Sequence, residues 1–404
     1  MTDHAARVQT WLDTRADEMA ALLERLVAYD TENPPGRGLG ACAHILRAAM
    51  ETLGLSPEII DVPPSGTLEN PCIVRGTVGD GSALIYFHGH FDVVPAQDRA
   101  QFTAQRREGT IIGRGTADMK GGIVSMLYGA AVAKALGLIG DGRIVLHLVC
   151  DEETGSVAGS GHLRTAGLID PRALAMVTAE PSGVGAVWHA ARGALTVRVD
   201  VHGREAHVGQ AHLGVNAFQQ MVHVAAPLEA LAHDLAARHT GFAMDAQDAR
   251  GSMLVVGGLC GGGSNFNVVP GSTWFTIDGR YNPEEDLGGA LERLTRTIEG
   301  AATGIGADVT VDVMQMQPSA STDAMHPAAA ALARCIAAVE TTPPRFVMCA
   351  GVLDIRWYAQ LGIPAFAYGA GRLDVSHGPD ESIDEAAMRR CAAVYALYAG
   401  ELLR

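Results

Sequence analysis

No Cys-x-x-Cys pair occurs in the 404 residues, and the seven cysteines are odd in number. Neither a zinc ribbon nor a disulfide framework is therefore expected. Isolated cysteines of this kind read as small buried hydrophobes in a reducing compartment. Basic residues are scarce: 30 Lys and Arg stand against 45 Asp and Glu, a net charge of −15. That balance speaks against a nucleic-acid or anionic-membrane partner. Long apolar runs are missing as well; the longest, Gly121 to Ala133, ends at Lys134 and is too short to span a bilayer. Met1 to Arg25 lacks the apolar core and small-residue cleavage site of a signal peptide. A soluble cytoplasmic protein is expected. There is no internal repeat, and the glycine-rich stretch Gly113 to Gly122 lacks the spacing of a phosphate-binding loop.

What is present is a regular alternation of elements. Residues 11–30 carry an amphipathic helical pattern through Leu12, Met19, Leu22, Leu23, Leu26 and Val27, and a second helix is expected over 40–53. Strands are expected at 57–62, 71–78, 83–88, 143–150 and 173–178, with helices at 121–136 and 159–166. This is an α/β domain with a mostly parallel sheet flanked by helices. From about Ala191 the texture changes. Ala194 to His202 alternates apolar and polar, and a helix from Asn216 to about Arg238, strands at 252–259 and 272–280, a helix at 286–300 and a strand at 307–314 follow. That order predicts an inserted ferredoxin-like α+β domain over 191–317, interrupting a domain made of 1–190 and 318–404.

The chain is organised around Arg143 to Ser156. A short apolar run, Ile144 to Cys150, opens directly onto Asp151, Glu152 and Glu153. Three consecutive carboxylates at the end of a buried strand repel one another, and a cation is the economical remedy. Other acid- and histidine-bearing segments follow predicted strands too: His90, Asp92 and Glu180. Strand carboxyl ends are where α/β sheets collect their sites. The candidate ligands are His90, Asp118, Glu153 with its neighbour Glu152, Glu180 and His377; two histidines and three carboxylates would hold a pair of divalent cations. Imidazole with carboxylate favours Zn²⁺, or Co²⁺ or Mn²⁺, over Ca²⁺ and Mg²⁺. His88 and His147, inside buried strands, are expected in the core, and His202 and His212 at the surface.

The segments Gly89-His90-Phe91-Asp92, Gly113-Arg114-Gly115-Thr116-Ala117-Asp118-Met119-Lys120-Gly121-Gly122, Asp151-Glu152-Glu153-Thr154-Gly155-Ser156 and Ala179-Glu180-Pro181-Ser182 occur in this order. Gly203-Arg204-Glu205-Ala206-His207, Asn267-Val268-Val269-Pro270 and His377 with Asp380-Glu381 complete the pattern. Taken together, the chain resembles the M20 metallopeptidase family, which includes acetylornithine deacetylase and succinyl-diaminopimelate desuccinylase. The resemblance implies that Asp118 bridges two metals and that a cis peptide follows it. It implies that His90 and Glu180 complete one metal site, and Glu153 and His377 the other. Asp92 would accept a hydrogen bond from the far nitrogen of His90, and Glu152 would be the general base for a metal-activated water. His207 of the inserted domain would steady the oxyanion, normally across a dimer interface, so a homodimer with a lid or dimerisation role for that domain is implied.

For the substrate, the resemblance assigns Arg280 and Asn267 to a carboxylate, and places Arg356 with Asp354 where relatives carry Gly-Gly-Thr-Ser-Asp-x-Arg. Ala191 and Ala194 replace an arginine and a serine that grip succinyl in the diaminopimelate enzymes. A neutral acyl group is therefore expected, on an N-acyl amino acid or related amine. A carboxypeptidase or dipeptidase acting on short peptides is the second reading, and a zinc-binding protein without activity the third. Asp380 and Glu381 alone could also form a solvated turn.

Overall fold

The computed structural model describes residues 2–66, 68 and 70–404. The chain forms two compact units, one of Met1–His189, Ser321–Val347 and Asp354–Arg404, the other of Ala190–Ala320 and Met348–Leu353.

In the first unit a nine-stranded sheet begins in the order Pro57–Asp61, Cys72–Val78, Arg143–Val149, Leu84–His90, Ala175–Thr178, Ala365–Ala367 and Ala186–Ala191. Arg143–Val149, Leu84–His90, Ala175–Thr178 and Ala365–Ala367 pair in parallel. The flanking pairings are antiparallel, so the sheet is mixed, with a parallel centre. Leu84–His90 and Ala175–Thr178 are buried at every position, which is why they read as unbroken apolar runs instead of alternating ones. Gly121–Ala135 shows no amphipathic stripe, since it is buried nearly all round; Glu385–Leu402 packs against it and is almost as enclosed.

Three expectations are adjusted. The N-terminal helix is two, Thr2–Asp13 and Ala16–Val27. The break is held by Thr14 Oγ1 on the Trp11 carbonyl at 2.8 Å and by the Arg15 guanidinium over the Trp11 ring. The helix expected from Asn216 is Ala217–Ala225 followed by Pro227–Ala236; Pro227 has no N–H to give, and it stands where a helix can begin. The strand Ala186–Ala191 was not anticipated.

The second unit is a four-stranded antiparallel sheet in the order Met253–Gly262, Ser272–Tyr281, Gly193–His202, Asp308–Gln317. Its core joins Leu195, Val197, Phe275 and Ile277 of the strands to Val224, Leu228, Leu294 and Ile298 of the helices. This is the ferredoxin-like arrangement that the element order predicts. Met348–Leu353 also goes with it: the Met348 N–H donates to the Ala243 carbonyl at 2.8 Å, and Met348 packs with Ala190 and Met244. No helix among the described residues is long and apolar enough to cross a membrane.

Candidate metal centre

Three of the four neighbouring parallel strands of the first unit carry the site residues at their carboxyl ends. His90 closes Leu84–His90, Glu152 and Glu153 follow Arg143–Val149, and Glu180 lies two residues beyond Ala175–Thr178. Asp118 comes from the turn before Gly121–Ala135, with a cis peptide to Met119. His377 presents its ring from a loop at φ 63°.

These side chains form two groups that share one member. His90, Asp118 and Glu180 make the first, and Asp118, Glu153 and His377 the second, with the donor atoms of each group within 4.8 Å of one another. Asp118 turns Oδ1 to His90 Nε2 at 3.1 Å and Oδ2 to His377 Nε2 at 3.2 Å. Glu180 Oε1 lies 4.0 Å from His90 Nε2, and Glu153 Oε1 3.3 Å from His377 Nε2. Glu152 is in neither group. Glu152 and Glu153 open a short 3-10 turn, Glu152–Thr154, in which consecutive side chains point about 120° apart, so one of the pair can ligate while its neighbour stays clear.

The electrostatics follow from crowding acids in a dry site. Burial, reinforced by Asp118, pushes Glu180 up to about 8. Burial likewise raises Glu153, and burial with Glu180 raises Glu152 well above the carboxylate range. Asp118 and Glu153 lift His377 to about 10. Burial works against Asp118 too, but hydrogen bonds from His377 and His90 reverse it and hold its carboxyl low. Glu180 Oε1 is buried and has no hydrogen-bond partner among the described residues, and Glu153 Oε1, buried as well, has only the His377 ring nitrogen at 3.3 Å. Buried carboxylate oxygens left without donors are costly unless a cation faces them. The imidazole and carboxylate donors thus fit two divalent cations.

The supporting contacts are specific. Asp92 is fully buried, and its carboxylate accepts the Glu152 and Glu153 amides at 3.2 Å each and Asn33 Nδ2 at 3.0 Å. His90 Nδ1 lies closer to the Asp92 carbonyl, at 3.1 Å, than to its carboxylate, at 3.4 Å. Asp92 therefore orients the acid turn as well as the imidazole. Glu381 is no solvated turn residue. It is fully buried, its Oε1 accepts the Ala117 and Asp118 amides at 3.0 Å each, and its Oε2 meets Arg114 Nη1. The sequence reading missed the roles of Arg114 and Asn33, although both lie beside motif segments. Two glycines let backbones close on the site. A Cβ on Gly371 would lie 2.2 Å from the Ala117 carbonyl oxygen, and one on Gly122 would lie 2.5 Å from that of Ala179.

The remaining candidates are placed elsewhere. Arg356 is buried, with Nη1 3.2 Å from Asp354 and Nη2 donating to the Gly155 carbonyl at 3.0 Å. His88 and His147 are core residues, as expected, while His202 and His212 are exposed. His207, Asn267 and Arg280 belong to the second unit. There Ala206–His207 pairs with Val268–Val269, and the Val208 N–H donates to the Asn267 carbonyl at 3.0 Å. His207 is exposed, with Nδ1 accepting the Gly209 N–H. Arg280 Nε pairs with Asp278 at 2.8 Å.

The sequence pattern of peptidase family M20/M25/M40 matches residues 86–401. The chain is 24% identical over 403 residues to the N-formyl-4-amino-5-aminomethyl-2-methylpyrimidine deformylase of Halalkalibacterium halodurans, covering 92% of this chain and 91% of that one. It is 27% identical over 340 residues to a succinyl-diaminopimelate desuccinylase of Corynebacterium glutamicum, covering 79% and 82%. Among solved structures, an M20 family metallo-carboxypeptidase from Sulfolobus solfataricus superposes with a TM-score of 0.80 at 17% identity, over 96% of this chain and 99% of the other.

Proposed function

The chain belongs to peptidase family M20/M25/M40 and is a metal-dependent amide hydrolase; within that family we propose that it removes a small neutral acyl group from an amino acid or related amine. The observation that carries this is the pair of ligand groups closed by the single carboxylate of Asp118, with Glu152 next to Glu153 but outside both groups. His90, Asp118 and Glu180 would hold one cation, and Asp118, Glu153 and His377 the other, with zinc the best match to the donors. When bound, the cations would supply Lewis acidity and acidify a water. Glu152 accepts the proton released as water attacks the amide carbon, then delivers it to the nitrogen as the carbon–nitrogen bond breaks. The burial that raises its proton affinity suits that exchange. His207 is the proposed donor to the oxyanion, and Arg280 and Asn267 are proposed to hold the substrate carboxylate.

The deformylase and desuccinylase names of the relatives support deacylation, and the alanines at 191 and 194 disfavour a succinyl donor. A homodimer through the second unit is supported by its edge strand Met253–Gly262, with exposed Val255 and Leu259 on it, and by exposed Val222 of the helix Ala217–Ala225. Seven cysteines without a disulfide fit a reducing cytoplasm.

The test is metal content by elemental analysis, joined to amine release from formyl, acetyl, succinyl and glutamyl donors and from dipeptides. Turnover of one neutral-acyl substrate, lost by about 10²–10⁴-fold in Glu152→Gln with metals retained, is the expected result. Preference for dipeptides would move the assignment to an exopeptidase using the same residues. Bound metal with no turnover on any substrate would favour a binding protein.

A further inference from the structure

Beneath the acid turn lies a polar network with no access to solvent, and Asp354 is its hub. Asp354 is fully buried. Its Oδ1 accepts the Ser156 hydroxyl at 2.5 Å and lies 3.2 Å from Arg356 Nη1. Its Oδ2 accepts the Ser160 hydroxyl at 2.6 Å and faces His88 Nε2 at 3.0 Å. The far side of His88 meets Tyr358 Oη at 3.2 Å, and that hydroxyl meets His147 Nδ1 at 2.8 Å.

A buried carboxylate facing four donors is an expensive feature to keep unless it fixes something. What it fixes is the exit of the turn that carries Glu152 and Glu153. Ser156 stands at φ 61°, and its N–H donates to the Asp151 carbonyl at 2.6 Å, closing the turn. Gly155, one residue earlier, is held through its carbonyl by Arg356. The entry of the same turn is held separately, by Asp92 on the Glu152 and Glu153 amides. His88 adds a tie to the strand that ends in His90.

We propose that Asp354 is a positioning residue for the reaction. Through Ser156, and with Arg356 on Gly155, it sets where the acid turn presents Glu152 and Glu153. This rests on the roles given to those two glutamates above. An asparagine would keep the shape but lose the charge that faces Arg356 and one of the two acceptor oxygens.

Ser156 and Ser160 separate a positioning role from a merely structural one. Each gives one hydrogen bond to the same carboxylate, but only Ser156 belongs to the turn. Ser156→Ala is expected to lower kcat by about 10- to 100-fold with KM little changed, and to weaken metal retention against a chelator by a similar factor. Ser160→Ala is expected to match the parent in both. In cobalt-substituted protein the visible spectrum is expected to change in Ser156→Ala and not in Ser160→Ala, a readout independent of turnover. Ser156→Gly, which removes the hydroxyl but suits the positive φ, is expected to behave as Ser156→Ala does; recovery of parent values in Ser156→Gly would assign the effect to backbone strain and overturn the proposal. Equal behaviour of the Ser156 and Ser160 variants would overturn it too, with the hydrolase assignment left standing. A parent protein that neither binds metal nor hydrolyses any substrate would overturn both.

Discussion

Arg114 and Glu381, separated by 267 residues in sequence, form an ion pair in which neither side chain is more than 1% exposed. The pair reaches two candidate ligands at once. Glu381 accepts the amide of Asp118, while Arg114 Nη2 donates to the carbonyl of His377 at 3.2 Å. Breaking a buried pair by removing one charge costs about 3–5 kcal/mol, because the other charge stays behind unpaired. Glu381→Gln is therefore expected to lose stability of that order in urea unfolding of chelated protein, and to lose metal in elemental analysis. A variant as stable as its parent with a full metal complement would contradict the role given to the pair.

Removing the cations should loosen the first unit. Asp118, Glu153 and Glu180 crowd together in a buried site, with Glu180 Oε1 lacking any hydrogen-bond donor among the described residues, and ligands that bind only the folded state stabilise it by mass action, about 4 kcal/mol at a thousand times Kd. Scanning fluorimetry is expected to show chelated protein melting lower, with zinc, cobalt or manganese restoring the transition and calcium failing to. Identical melting with and without chelator would remove the metal from the folding energetics.

Acid should release the hub under the turn. Burial alone would raise Asp354, but His88 and Arg356 outweigh it and hold the carboxyl below its ordinary value. A depressed folded-state pKa contributes stability that is complete above about 3.9 and fades as pH falls toward the folded value. The urea midpoints of the parent and Asp354→Asn are thus expected to differ most near neutral pH and to converge below about pH 4. A gap independent of pH would show that the ionised carboxylate is not what the network uses.

The cysteines offer a probe of assembly. Cys260 is exposed on the edge strand of the second unit, and the other six are buried; burial pushes the Cys72 thiol up to about 11, for instance. A thiol reagent at pH 8 is expected to modify Cys260 quickly and the rest only in denaturant. Cys260 shares a groove of about 590 Å³ with Val222, Leu254 and Val256, so a homodimer through that edge should slow its modification as protein concentration rises. A rate unaffected by concentration would count against that interface.

The candidate ligands were legible because an acid or histidine at the end of a buried strand disrupts an apolar pattern in a recognisable way, as His90, Glu153 and Glu180 do. Their supports were not. Glu381 in Gly378-Pro379-Asp380-Glu381 looks like any polar turn residue, and its burial depends on Arg114, far off in sequence. The same holds for Ser156 and Asp354, whose partnership crosses 198 residues. Helix breaks were half visible: Pro227 was in plain view, whereas the stop at Arg15 depends on a side chain folding back over Trp11. The strand Ala186–Ala191 is buried on both faces, so no alternation marked it, and its alanines favour helix over strand.

The contacts at Gly371 and Gly122 bear on how far such a site could be rebuilt. There the main chains of Ala117 and Ala179 already touch their neighbours, so the distance between ligand-bearing segments is set by backbone against backbone, with no side chain to trim or swing aside. The centre has a fixed gauge. Asp118→Glu keeps the charge and both donor oxygens but adds a methylene that the frame cannot yield to, so chemical likeness is a poor guide to tolerance here. Retuning toward another metal would have to come from exchanging donor types at constant length, not from making room.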